Sequence, residues 1–180
     1  TKYLALLPRN YSTAVVVKFN KNPFLTILKT TDLLALQSNL TDYSDQAQDS
    51  DTGTDVTLSS LDTLANLDAV YVGAVVPFSG LQVDIDAANG TASVLTVEYW
   101  NGTAWVTTSA TDGTDSGGAT FAIDGNITWT VPSAWTTVAL ETAQAATAGK
   151  NIGALKHDMY WVRLTVSAAL DSTTTANSII

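Results

Sequence analysis

Apolar and polar residues alternate along most of this chain, and the alternation has the two-residue period of strands. Leu81, Val83 and Ile85 face one way and Gln82, Asp84 and Asp86 the other. Ile127, Trp129 and Val131 alternate with threonines, and Tyr160, Val162, Leu164 and Val166 alternate with Trp161, Arg163 and Thr165. Further β-patterned runs are Ala69–Val76, Val94–Trp100, Thr103–Thr108, a short stretch near Phe121 and Thr136–Leu140. Together they predict about eight short strands, with turn residues between them at roughly ten-residue intervals. That count and spacing predict an all-β fold, a two-sheet antiparallel β-sandwich of jelly-roll type.

Residues 1–52 read differently. Ala14–Phe19 and Leu25–Leu28 are short β-patterned pieces, and Thr31 or Asp32 could cap one or two helical turns. The polar, acidic run Thr41–Asp55 has no apolar period and reads as a linker or long loop, which sets a boundary near residue 53. The expected organisation is an N-terminal arm and linker over 1–52, too small to bury a core alone, and a sandwich domain over 53–180.

Charge sharpens this division. The 180 residues carry a net charge of −9, but Lys2, Arg9, Lys18, Lys21 and Lys29 stand in the first 29 residues without a single acid. Residues 30–149 hold 13 Asp, 2 Glu and no Lys or Arg. A basic arm beside an acidic body can lie across that body or dock on an acidic neighbour. Five spread cations make a weak phosphate footprint, so nucleic acid is not an expected partner.

The hairpin at Asn101-Gly102 is the sharpest local signal, since both positions of a two-residue type I′ turn need positive φ. That turn pairs Trp100 with Thr103 and Glu98 with Trp105, and sets Trp100 and Trp105 diagonally on the face opposite Leu95, Val97 and Tyr99. Two tryptophans on a polar face form either an exposed platform for sugar stacking or a surface covered by the arm, a loop or another subunit.

Signals for chemistry are sparse. The chain lacks cysteine and has one histidine, His157, which removes thiolate sites and histidine clusters. It contains no Gly-x-Ser-x-Gly and no phosphate-binding glycine loop with its lysine. The carboxylates spaced along Asp49–Asp55 and the loop Asp112–Gly118 match the EF-hand pattern poorly, so a solvated turn is the default, with a loose Ca²⁺ site as the alternative. No catalytic, cofactor or metal residue is assigned and no enzyme is expected. The apolar stretch before Pro8 is too short for a secretory signal, and no run approaches the length of a membrane span.

Tyr71-Val-Gly73, Pro77–Ile85, Val97–Val106, Gly125–Pro132 with Trp135, and Tyr160–Ser167 resemble a β-sandwich module of tailed-bacteriophage virion proteins over roughly residues 55–180. The resemblance implies a structural role: a capsid decoration (cement) protein, or a head-fibre, tail-fibre or baseplate protein. In the first case the partners are the major capsid protein and copies of the chain itself as a homotrimer, and the location is the capsid exterior after synthesis in the host cytoplasm. The arm cations Lys2, Arg9, Lys18, Lys21 and Lys29 would then form the capsid or subunit interface. In the second, Trp100 and Trp105 would bind a glycan or receptor. No cofactor is implied by either.

Overall fold

A computed structural model describes residues 26–30, 40–49, 51–62, 68–140, 142–143 and 158–180. The chain is all-β and its strands form two antiparallel sheets. The six-stranded sheet runs β2 (Leu40–Asp42), β1 (Thr26–Thr30), β4 (Ala69–Ala74), β10 (Tyr160–Val166), β6 (Leu95–Trp100), β7 (Trp105–Thr107). The five-stranded sheet runs β3 (Val56–Thr57), β11 (Thr175–Ile179), β5 (Gly80–Ala87), β9 (Gly125–Thr128), β8 (Thr111–Asp112). Among the described residues no helix is long and apolar enough to cross a membrane.

One core lies between the sheets. Ile27, Val70, Val72, Val97, Val162 and Leu164 come from the first sheet, and Val56, Leu81, Val83, Ile127, Ala176 and Ile179 from the second. Strand β5 keeps the period read from its sequence, burying Leu81 and Val83 while Gln82, Asp84 and Asp86 face water. An aromatic group closes one end: Phe78 packs 5.5 Å from Trp129 and 5.1 Å from Trp135, and Trp135 lies 5.7 Å from Tyr160. Their indole N–H groups donate to the carbonyls of Phe78 and Trp161 at 3.0 and 3.2 Å, as burial requires. At the other end the buried amide of Asn89 donates to Thr91 O, Ser93 Oγ and Thr120 O and so ties the loops together.

Four expectations are corrected here. The boundary near residue 53 does not separate Thr26–Thr30 from the body: β1 pairs along all five residues with β4, from Thr26 opposite Gly73 to Thr30 opposite Ala69. Without it β4 would be a long apolar edge with unpaired backbone groups. The expected elements at Ala14–Phe19 and after Thr31 lie outside the described residues. No strand forms near Phe121, whose backbone sits at φ 57° with its N–H held by Thr114 Oγ1 at 3.0 Å. Thr136–Leu140 makes only a single bridge, Val138 with Met159, rather than a strand.

The fourth correction concerns the hairpin. Trp100 pairs with Trp105 and Glu98 with Thr107, a slide of two residues that leaves every side chain on its expected face. Asn101 stays out of the positive-φ region and only Gly102 enters it, at 101°. Asn101 uses its side chain instead, accepting at Oδ1 from Thr103 N (2.9 Å), Ala104 N (2.8 Å) and Thr103 Oγ1 (3.0 Å). The turn therefore centres one residue later, on Gly102 and Thr103.

Candidate functional site

The two tryptophans face away from the main core on the first sheet, and their neighbours there come from three strands. Trp161 and Arg163 of β10, Tyr71 of β4 and Glu98 of β6 share that face through the registers Trp161 with Gly73, Arg163 with Tyr71, and Arg163 with Glu98. Trp100 meets Trp105 edge to face at 5.6 Å, and Tyr71 lies 5.8 Å from Trp105. Over them pass Val138, Leu140, Ala143 and Met159, forming a second core. Trp100 is 3% exposed and Trp105 8%.

Of the two readings of Trp100 and Trp105, the exposed contact face is corrected and the covered one stands. A stacking platform needs free ring faces; here the chain itself occupies them. The chain bridges Val138 to Met159 by backbone bonds of 3.0 and 3.1 Å and receives the indole N–H of Trp161 at Val138 O, 3.0 Å away. Trp161 joins them only through the strand registers, and three tryptophans on one nominally polar face are the sequence signal that could have pointed to burial on both sides.

Within the second core sits an ion pair. Arg163 Nε and Nη2 donate to Glu98 Oε2 at 2.9 and 2.6 Å, and the guanidinium lies 4.9 Å from the Trp105 ring centre. Desolvation weakens the case for such a pair as a source of stability, but a single partner left alone is costly. Trp105 Nε1 is buried and has no hydrogen-bond acceptor among the described residues.

Of the five expected interface cations, Lys2, Arg9, Lys18 and Lys21 lie outside the described residues. Lys29 lies inside them and is corrected from a docking residue to a buried brace. It shares the inward face of β1 with Ile27 and is 5% exposed. Its ammonium donates to Thr57 O and to Ser60 Oγ (2.7 Å) and lies 5.3 Å from the Tyr43 ring centre, fastening the first sheet to β3 of the second. Lys29 and the two tryptophans occupy opposite faces of the six-stranded sheet and form no common site.

Burial lowers the Lys29 pKa to about 8, against the opposing pull of Asp68. Between about pH 8 and 10.5 the unfolded chain then holds a proton that the folded chain has released, so this residue makes stability rise with pH across that window. Urea midpoints at about pH 7 and about pH 9.5 should climb more in the wild type than in Lys29→Met. Equal changes in the two proteins would contradict a desolvated lysine.

The acidic loops cap themselves. Asp49 accepts from Asp51 N (2.9 Å) and Thr54 Oγ1 (2.9 Å), Asp51 from Gly53 N (3.0 Å), and Asp112 from Thr114 N and Oγ1 at 2.9 and 2.6 Å. Among the described residues no three His, Cys, Asp or Glu side chains converge in a way that could hold a metal ion. Asp84 and Asp86 lie apart on the wet face of β5, contacting Asn177 and Thr175 at 3.5 and 3.1 Å. Burial, reinforced by Asp86, raises the pKa of Asp55, whereas hydrogen bonds from Thr91 and Gly90 lower that of Asp171.

The outer face of the second sheet carries an open hollow of about 420 Å³ that the sequence did not single out, bordered by Gln82, Asp84, Asp124, Asn126, Ser178 and Ile180. Its polar rim offers hydrogen-bonding groups but neither an aromatic ring nor a nucleophile paired with a base. No family model, curated protein or solved structure matches the chain.

Proposed function

We propose that the chain is a structural protein of a tailed-phage virion, a capsid decoration (cement) protein whose body sits on the outer shell and whose N-terminal residues anchor it. The body is read as a jelly roll. What supports this is the pair of four-strand orders β4-β10-β6-β7 and β3-β11-β5-β9, in which the chain changes sheet at every step except the β6–β7 hairpin. Strands β1 and β2 extend one edge and β8 the other. Such a body offers many wet, rigid faces, and among the described residues no catalytic constellation forms, which suits a protein that works by binding.

The observation that carries the proposal is the segregation of charge. Both cations among the described residues, Lys29 and Arg163, are buried and engaged, while Asp42, Asp45, Asp51, Asp84, Asp86, Asp115 and Asp124 are exposed. Lys2, Arg9, Lys18 and Lys21 then belong to a segment that precedes the first described strand and can meet acidic ground on the shell or on sister copies. Because Thr26–Thr30 pairs with β4, the anchoring segment proposed here is the residues before Thr26 rather than 1–52. Partners are the major capsid protein and further copies of the chain, in a homotrimer; repetition of modest contacts over many copies supplies the avidity.

A chain lacking residues 1–25 tests this, because the deletion stops short of β1. We expect it to fold with an unchanged urea midpoint and to co-sediment with capsids about a hundredfold more weakly than the full chain. Undiminished co-sedimentation would overturn anchoring by this segment.

A further inference from the structure

We infer that Asn101 is a site of spontaneous backbone chemistry: it deamidates through a cyclic imide with Gly102, while the second Asn-Gly pair of the chain, Asn89-Gly90, is protected by the fold. The reaction needs the backbone nitrogen of the glycine as nucleophile, an electrophilic side-chain carbonyl, and water. Hydroxide removes the Gly102 amide proton, and the nitrogen forms a bond to Asn101 Cγ, placing negative charge on Oδ1. The Cγ–Nδ2 bond then breaks; Nδ2 takes a proton from water and leaves as ammonia. Water opens the five-membered imide at either carbonyl, giving an aspartyl or an isoaspartyl residue at position 101.

Three features of the hairpin favour each stage. The Gly102 N–H donates to no atom of the described residues, and Gly102 is exposed with no side chain to hinder its nitrogen. Asn101 Oδ1 accepts from two backbone N–H groups and a hydroxyl at 2.8 to 3.0 Å, so the oxygen on which charge develops already has its donors in place. Those N–H donors also fix which end of the amide is oxygen. The leaving nitrogen Nδ2 donates to no atom of the described residues.

At Asn89 the side-chain oxygen is held in the same way, accepting from Thr91 N at 3.1 Å and Asp171 N at 3.0 Å, but attack by the glycine nitrogen and departure of the amide nitrogen are both opposed. Asn89 is 2% exposed, its Nδ2 makes hydrogen bonds of 2.9, 3.2 and 2.9 Å, and the Gly90 N–H is held by Asp171 Oδ2 at 2.6 Å. Removing a proton from a nitrogen that donates to a carboxylate creates two facing negative charges. The Asp112-Gly113 pair is guarded in a similar way, since the Gly113 N–H donates to Asn126 O at 2.9 Å. An isoaspartyl linkage at position 101 would lengthen the main chain within the turn that sets Trp100 opposite Trp105, so the modification acts on the edge of the second core.

The full chain, incubated in warm, mildly alkaline buffer both folded and in urea, is digested with chymotrypsin, and amide-to-acid conversion at positions 89 and 101 is followed by mass spectrometry. Chymotrypsin is needed because no Lys or Arg stands between Lys29 and Lys150. In urea the two sites should convert at similar rates. In the folded chain Asn101 should convert more than about tenfold faster than Asn89, keeping most of its unfolded rate. Folding that slows Asn101 as strongly as Asn89 would overturn the inference.

Discussion

Trp161→Ala should cost about 4 kcal/mol of folding stability, the upper range for loss of a buried aromatic side chain. Trp161 is fully buried, its ring lies over Gly73, and its indole N–H satisfies Val138 O. Its removal opens a cavity beneath Leu140 and Met159 and leaves that carbonyl with the Met159 N–H as its remaining donor. For a chain of this size the melting temperature should fall by about 12 °C. The partner substitution, Gly73→Ala, should be nearly as harmful, because an added Cβ would stand 2.5 to 2.7 Å from three ring carbons of Trp161. Made together, the two changes should cost far less than their sum, since the methyl enters the space that the ring has left. Additive losses would show that the ring does not occupy the position described.

Glu98→Gln carries the second large effect. It leaves the shape of the site intact and strands the Arg163 guanidinium, whose side chain is 7% exposed, without its counter-charge. Glu98 is the wetter partner at 16%, so water recovers part of the loss and about 3 kcal/mol is expected. The double variant Glu98→Gln with Arg163→Met should regain most of it, because no buried charge is then left unpaired. Urea midpoints of the two proteins decide the matter: a double variant weaker than the single one would mean that Arg163 contributes by packing on Trp105 rather than through charge.

Both effects arise in the second core, the part of the molecule least legible in the sequence. The strand Leu81–Asp86 could be read directly because one of its faces is wet and the period of two survives into its composition. Tyr160–Val166 has the same formal alternation, yet Trp161 through Val166 are all buried. The strand lies between β4 and β6 with a core on each side, and the residues that cover its outer face, Val138, Leu140 and Ala143, are distant in sequence and too irregular to announce themselves. Faces at the hairpin were legible because they depend on parity alone. Its register was not, because Asn101 satisfies its turn with a side chain rather than with positive φ.

Lys29 illustrates a different limit. Parity with Ile27 places it on the inward face of its strand, but a lysine in a chain that segregates its charge so strongly is naturally assigned to the basic end. Only the positions of Thr57 O, Ser60 and Tyr43, which come from distant parts of the chain, show that its ammonium has partners inside. Strand Thr175–Ile179 went unread because Ala176, Asn177 and Ser178 carry little β signal; it is held by pairing with both β3 and β5. The hollow beside Asp84 and Asp124 has no sequence motif, since its lining residues come from β5, β9, β11 and their flanks rather than from any one of them.

The proposed place of this chain, repeated many times over a virion shell, is tested most directly by copy number. Quantitative mass spectrometry of purified virions gives the molar ratio of this chain to the major capsid protein. A ratio near one, or a fixed large fraction of it, is expected. A ratio of a few per cent, or absence of the chain from virions, would contradict a shell-decorating role.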